Sequence, residues 1–178
     1  NNLQIAVFGG GCFWCTEAVF QKLRGVKSVT SGYSGGTIEN PSYEQVSTGN
    51  TGHAEVIKFE FDPDKISYRD LLEVLFATHD PTTLNRQGYD NGPEYRSVIY
   101  YNSSQQKLEA EKIILELTEQ KVYSDPIVTS VERLTNFYPA SAEHKNFYLN
   151  NTNSSYCQII INPKLKKLKE KFASLIEN

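Results

Sequence analysis

Alternation between short apolar strand segments and helix-patterned segments constrains the fold of this chain more than any other feature. The clearest strand is predicted at residues 55–61, where Ile57 and Phe59 alternate with Lys58 and Glu60. A period of two residues is typical of a strand that buries one face. Further strands are predicted at residues 3–8, 26–33, 97–101, 127–134 and 158–161.

Helix patterns fall between these strands. Helices are predicted after the first strand, from Ser67, from Ser103 or Ser104, and from Asn162. Ser67 is followed three residues later by Asp70, which is the spacing of a capping box. The interleaved order predicts an α/β or α+β fold, namely a two-layer sandwich with a split βαβ, ferredoxin-like core and a mixed sheet. Three long aromatic-containing stretches, residues 34–52, 79–96 and 135–156, are predicted to be functional loops.

Length and charge limit the class of protein. The chain has 178 residues and a formal net charge of −3, which favours one catalytic domain over residues 1–178 and does not favour a nucleic-acid partner. No apolar run approaches the ~18 residues of a membrane span. The chain begins with Asn1, which indicates a trimmed N-terminus; we expect a cytoplasmic location, with a periplasmic or secreted one left open. A monomer is the default expectation.

The lysines of the last helix are assigned to a solvated face: Lys164, Lys166, Lys167, Lys169 and Lys171.

The glycine run at residues 9–11 and the residues after it are the most informative for chemistry. Cys12 enters a helix there, and free N–H groups with the positive end of the helix dipole lower a thiol pKa from ~8.5. We therefore predict that Cys12 is an ionised, reachable nucleophile; the alternative is a small buried hydrophobic residue. Phe13 and Trp14 predict an apolar pocket for a small alkyl group, with ordinary core packing as the alternative.

A second cysteine follows at helical spacing. Cys15 shares a helix face with Cys12, so the pair could form a disulfide or bind a metal. A zinc site would need two further ligands, and His53 and Cys157 lack the supporting spacing, so no metal is expected. A C-x-x-C after a strand also fits a thioredoxin-like disulfide oxidoreductase that uses Cys12 and Cys15. A non-enzymatic binding module with packed cysteines is a further alternative.

Four segments resemble the peptide methionine sulfoxide reductase A family. They are Gly11-Cys12-Phe13-Trp14, then Gly52-His53-Ala54-Glu55, then Asp90 with Gly92 and Tyr95-Arg96-Ser97, and finally Phe137-Tyr138-Pro139-Ala140 followed by His144. They occur in the family's order and span the chain from residue 6 to about residue 163. Tyr89 and Glu94 stand where the commonest family pattern has Asn and Gln, and Ser141 and Lys145 stand where Glu and Gln are usual.

The resemblance implies a reaction and assigns residues to it. Cys12 attacks the sulfoxide sulfur of the S epimer and becomes a sulfenic acid, while Glu55 protonates the oxygen. In the alternating pattern of its strand, Glu55 falls on the same side as the apolar residues, where desolvation raises a carboxyl pKa. The alternation alone leaves a surface carboxylate equally possible. Tyr43 and Tyr95 are implied to bind the oxygen through their hydroxyls. Asp90 is implied to bind substrate or order the site, with a turn residue as the alternative.

Turnover needs a second thiol to resolve the sulfenic acid. Cys15 is close in sequence, whereas Cys157 lies in the C-terminal segment from about residue 146, after a polar run that we predict to be mobile. The sequence slightly favours Cys157, with Cys15 as a relay. The family implies thioredoxin as the reductant, and oxidised proteins, peptides and free methionine sulfoxide as substrates. No cofactor is implied.

Overall fold

The computed structural model describes residues 2–177 and has a six-stranded sheet at its centre. The strands are β1 Gln4–Gly10, β2 Val26–Ser34, β3 Ala54–Phe61, β4 Arg86–Gln87, β5 Asp90–Asn91, β6 Ser97–Tyr101, β7 Ser130–Arg133 and β8 Tyr138–Pro139. The α-helices are α1 Phe13–Phe20, α2 Tyr43–Ser47, α3 Tyr68–Thr78, α4 Ser104–Glu119, α5 Phe147–Asn150 and α6 Asn162–Lys171. A π-helix, Cys157–Ile161, runs directly into α6.

The sheet is mixed, with the strand order β7-β6-β1-β3-β2-β8. All neighbours are antiparallel except β6 and β7. The connections β1-α1-β2 and β3-α3-β6 each place their two strands on either side of another strand, which is the split βαβ arrangement. The predicted α+β fold with a ferredoxin-like core is therefore confirmed. The short β4 and β5 form a separate hairpin.

Local capping explains where several helices begin. Ser67 Oγ accepts the N–H of Asp70 at 3.0 Å, and Asp70 Oδ2 accepts the N–H of Ser67 at 3.1 Å, so the predicted capping box is confirmed. Ser103 is the residue that caps α4. The predicted loops also contain short elements: α2 in the first, the β4–β5 hairpin in the second, and β8 and α5 in the third.

The strand predicted at residues 158–161 is wrong, because these residues belong to the π-helix. A four-residue apolar run is too short to separate a strand from a buried helical turn by periodicity. Here Ile161 packs into the core and the turn continues into α6. The predicted strand at 127–134 is shorter than expected and spans Ser130–Arg133.

Both faces of the sheet are buried, and the larger core lies under the helices. Ile57, Phe59 and Phe61 of β3 contribute to that core, while Ala54 and Val56 point to the other face. Because side chains alternate along a strand, Glu55 lies on the same face as Ile57 and Phe59. The fold therefore aims the Glu55 carboxyl toward α1. Within residues 2–177, no helix has the length and apolarity to cross a membrane.

Candidate active site

The turn from β1 into α1 brings Cys12 to the helix start. Gly11 has a φ of +98°, a conformation that favours glycine. A Cβ at Gly9 would lie 3.0 Å from the carbonyl oxygen of Glu55, so glycine there lets β1 approach β3 closely. Cys12 is the N-cap residue of α1, and its own backbone is extended. The predicted position of this cysteine at a helix N-terminus is confirmed.

Glu55 is fully buried and faces the first turn of α1. Its Oε1 accepts the backbone N–H of Phe13 at 3.0 Å, and Oε2 has no hydrogen-bond partner within residues 2–177. Burial raises the pKa of the Glu55 carboxyl to about 8; the hydrogen bond from Phe13 opposes this, and the charges of Glu94 and Asp90 add to it. This carboxyl therefore holds a proton near neutral pH, with one oxygen free to interact.

The electrostatics of Cys12 differ from the sequence-based expectation. Burial raises the pKa of its thiol well above the ordinary value, Glu55 and Cys15 raise it further, and the N–H of Trp14 lowers it. The predicted lowering by the helix N-terminus is present but is outweighed by desolvation, since only 5% of the residue is exposed. Cys12 is thus a neutral, buried thiol beside a neutral acid, and the prediction of an ionised, reachable thiolate is wrong for this structure.

Aromatic rings surround this pair. Phe13 is fully buried and packs against Tyr33 and His144, with ring centroids 5.6 Å and 5.4 Å away. Trp14 is half-buried, and its ring stacks on Phe147 at 3.7 Å with an interplanar angle of 6°. The predicted apolar pocket is therefore not formed by Phe13, which packs in the core as the alternative had it, and at Trp14 one ring face is covered by Phe147.

Tyr43 and Tyr95 are half-buried neighbours of the same pair. Burial raises the pKa of Tyr43 to about 12 and raises that of Tyr95 above its usual range, and the charges of Glu55 and Cys12 act in the same direction. Both phenols therefore keep their protons at physiological pH. A neutral hydroxyl can donate a hydrogen bond without cancelling negative charge on a nearby sulfur.

One segment that is distant in sequence covers the site. Trp14 Nε1 donates to His144 Nδ1 at 3.1 Å. The hydroxyl of Tyr156 donates to Asp90 Oδ2 at 3.0 Å and lies 3.3 Å from Cys15 Sγ. We call residues 142–157 the covering segment. Asp90 thus connects the β4–β5 hairpin to this segment.

The family comparison agrees with this arrangement. Residues 4–176 match the family model described as peptide methionine sulfoxide reductase. The chain belongs to the peptide methionine sulfoxide reductase family. This result confirms the resemblance drawn from the four sequence segments.

Individual relatives cover nearly the whole of this family member. The peptide methionine sulfoxide reductase MsrA of Polynucleobacter asymbioticus is 52% identical over 174 residues, which span 98% of this chain and 92% of that relative. The structure of methionine sulfoxide reductase A of Corynebacterium diphtheriae has a TM-score of 0.81 at 30% identity, covering 85% of this chain and 76% of that one. Mxr1 of Saccharomyces cerevisiae in complex with Trx2 matches with a TM-score of 0.54 at 25% identity, covering 82% of this chain and 84% of that one.

The two further cysteines of this family member are both buried free thiols. Cys15 lies one helical turn after Cys12, since its N–H donates to the Cys12 carbonyl at 3.0 Å. Burial raises the pKa of the Cys15 thiol to about 11. Cys157 begins the π-helix, which packs against α1, and its N–H donates to Ser154 Oγ at 3.2 Å.

Sequence reasoning missed three contributors to the site. Neither the contact of Tyr156 with Asp90 and Cys15 nor the hydrogen bond of His144 with Trp14 follows from a local pattern. Glu94 is buried with Oε1 unpartnered by any residue from 2 to 177. His53, weighed as a metal ligand, uses Nδ1 to accept the Gly36 N–H at 3.0 Å and has Nε2 at 2.8 Å from a carbonyl. Residues 2–177 contain no group of three His, Cys, Asp or Glu side chains that could hold a metal ion.

Proposed function

We propose that this chain reduces the S epimer of methionine sulfoxide, in oxidised proteins, in peptides and as the free amino acid, with Cys12 as the nucleophile. The observation that carries the proposal is the neutral, fully buried Glu55 carboxyl facing Cys12 at the start of α1. A sulfoxide oxygen leaves only after it is protonated, so a carboxylic acid that keeps its proton near neutral pH suits this step.

The first step balances within this pair. The Cys12 sulfur attacks the sulfoxide sulfur while Glu55 transfers its proton to the oxygen. A bond forms between the two sulfurs; the protonated oxygen then moves to the Cys12 sulfur as that bond and the substrate sulfur–oxygen bond break, so methionine leaves and Cys12 becomes a sulfenic acid. The proton lost by the Cys12 thiol restores Glu55, so the enzyme consumes no proton in this step. Burial delays ionisation of Cys12 until this transfer occurs, which couples thiol activation to the presence of a substrate oxygen.

Positioning of the substrate falls to the surrounding rings and polar groups. Tyr43 and Tyr95 would donate hydrogen bonds to the oxygen as negative charge develops on it. The substrate methyl group would lie on the face of Trp14 that Phe147 covers in this structure. The covering segment must therefore move before a substrate enters, and Asp90 holds it through Tyr156.

Recycling of the sulfenic acid is assigned to Cys15 first. What supports this order is its place one turn from Cys12 and its direct electrostatic coupling to that thiol. Cys157 would then exchange with Cys15, and an external thiol protein would reduce the resulting disulfide. Mxr1 of Saccharomyces cerevisiae was solved with Trx2, which supports thioredoxin as the reductant here. A monomer in the cytoplasm, where thiols stay reduced, fits this cycle.

Single-turnover kinetics with each sulfoxide epimer test the proposal. We expect one equivalent of methionine from the S epimer before any reductant is added, and none from the R epimer. Reduction of insulin disulfides without methionine formation would instead favour the thioredoxin-like alternative. That alternative leaves Glu55, Tyr43 and Tyr95 without a role.

A further inference from the structure

Lys164 does not lie on the solvated face to which the sequence assigned it. Its ammonium turns inward from the start of α6 and donates to the Thr78 carbonyl at 2.7 Å. Thr78 is the last residue of α3, where carbonyls have no partner within the helix. An ammonium carries three N–H donors, so this contact leaves two of them for other neighbours.

The same ammonium borders a small cavity next to Cys15. A cavity of about 10 Å³ lies among α1, α3 and α6, and its lining includes Cys15, Thr16, Thr78, His79 and Lys164. This volume is at the lower limit for one water molecule. Lys164 and Cys15 therefore face each other across this cavity, in surroundings where a charge is poorly screened.

Lys164 is the cation that faces Cys15 in this cavity. Burial lowers the pKa of His79 to about 4 and keeps its ring neutral, with Nε2 2.7 Å from Ser97 Oγ. The other titratable groups that act on Cys15 are Tyr156, Asp90, Glu55 and Cys12. Burial lowers the pKa of Lys164 and the charge of Lys167 lowers it further, whereas Cys15, Asp80 and Asp90 raise it; Lys164 in turn lowers the pKa of His79.

We propose that Lys164 is a positioning residue for the resolving thiol: its ammonium stabilises the Cys15 thiolate that attacks the Cys12 sulfenic acid. The inference rests on the proposed function and assigns its second step. A Cys15–Cys12 disulfide bond forms and the sulfur–oxygen bond of Cys12 breaks. The oxygen leaves with its own hydrogen and the proton given up by Cys15, as water. The Cys15 thiol is thereby oxidised to the disulfide level, and the Cys12 sulfur is reduced to it from the sulfenic acid.

Charge and position in the cavity make this role specific to one lysine. Burial raises the pKa of Cys15, while the hydrogen bond with Tyr156 and then the charge of Lys164 lower it. Removing the ammonium leaves the desolvation in place and takes away one of the two groups that oppose it. Lys166 on the same helix is exposed and provides a matched control.

The test is a single turnover in a Cys157→Ser background, where only Cys15 can resolve Cys12. Methionine release and the Cys12–Cys15 disulfide are followed separately by rapid quench and mass spectrometry, from about pH 6 to about pH 10. Lys164→Gln removes the charge but keeps an N–H donor for the Thr78 carbonyl. Lys164→Met is the second neutral variant if the first does not fold. Lys164→Arg restores the charge.

We expect the neutral variants to release methionine at the parent rate and to form the disulfide about tenfold more slowly at every pH in this range, because Cys15 is mostly protonated throughout it and more so without the ammonium. Lys164→Arg should recover most of the rate, and Lys166→Gln should match the parent. Disulfide formation at the parent rate in Lys164→Gln, an equal slowing of methionine release, no recovery in Lys164→Arg, or no Cys12–Cys15 bond with Lys164 present would each overturn the inference. Failure of the parent to release methionine would instead reject the proposed function.

Discussion

Replacing Glu55 with Gln should remove a loss of stability that the wild type undergoes as the pH rises from 4.5 to about 8. The wild-type carboxyl titrates near pH 8 when folded, whereas its ordinary pKa is 4.5. Between these values the folded state binds more protons than the unfolded state, so rising pH lowers the free energy of unfolding. An amide of the same shape does not titrate and still offers an oxygen to the Phe13 N–H.

The size of the effect follows from the span between the two pKa values. One pKa unit corresponds to about 1.4 kcal/mol. The wild type should therefore lose about 1.4 kcal/mol per pH unit relative to Glu55→Gln across this window, and at most about 5 kcal/mol in total. Below pH 4.5 the carboxyl is protonated in both the folded and the unfolded state. The difference in the free energy of unfolding between the wild type and Glu55→Gln should be constant there.

Urea unfolding at about pH 5, 6, 7 and 8 measures this difference directly. Glu60→Gln is the matched control, because Glu60 lies on the same strand but is only half-buried. In single turnover, Glu55→Gln should also slow methionine formation by roughly 10²–10⁴-fold. Parallel stability curves for the wild type and Glu55→Gln would mean that Glu55 is ionised in the folded protein, and the acid role would be refuted.

Three further outcomes test the other parts of the site. Cys12→Ser should fold normally and give no methionine with any reductant; residual turnover measured by chromatography would reject Cys12 as the nucleophile. Phe147→Ala should uncover the ring of Trp14, the single tryptophan. We expect red-shifted tryptophan fluorescence and a lower KM for peptide substrates, and an unchanged fluorescence spectrum would contradict a covered ring. Tyr43→Phe and Tyr95→Phe should each slow methionine formation about tenfold, since each removes a hydrogen bond of about 1.5 kcal/mol to a developing charge; wild-type rates in both would exclude them as donors.

Short-range patterns predicted much of this structure. The helix start at Cys12, the capping box at Ser67 and the inward direction of Glu55 each depend on residues within one turn or one strand. The family segments then joined these positions into one site. The strand order follows from the interleaved elements and the split βαβ connections.

Contacts between distant segments could not be predicted in this way. The Cys12 pKa depends on burial and, in part, on Tyr156, more than a hundred positions later in the chain, and no local pattern encodes that contact. Tyr156 reaches Asp90 across a sequence separation of 66 residues. Lys164 sits in a helix whose other lysines are mostly exposed, so composition indicated solvent where packing turns this one inward.

The raised pKa values of Cys12 and Cys15 have a consequence under oxidative stress. Peroxide oxidises thiolates far faster than thiols, and both of these sulfurs hold their protons at neutral pH. The chain also contains no methionine that an oxidant could damage. Such a protein can remain intact among the oxidants that create its substrates, because its reactive sulfur loses its proton only after a sulfoxide has bound.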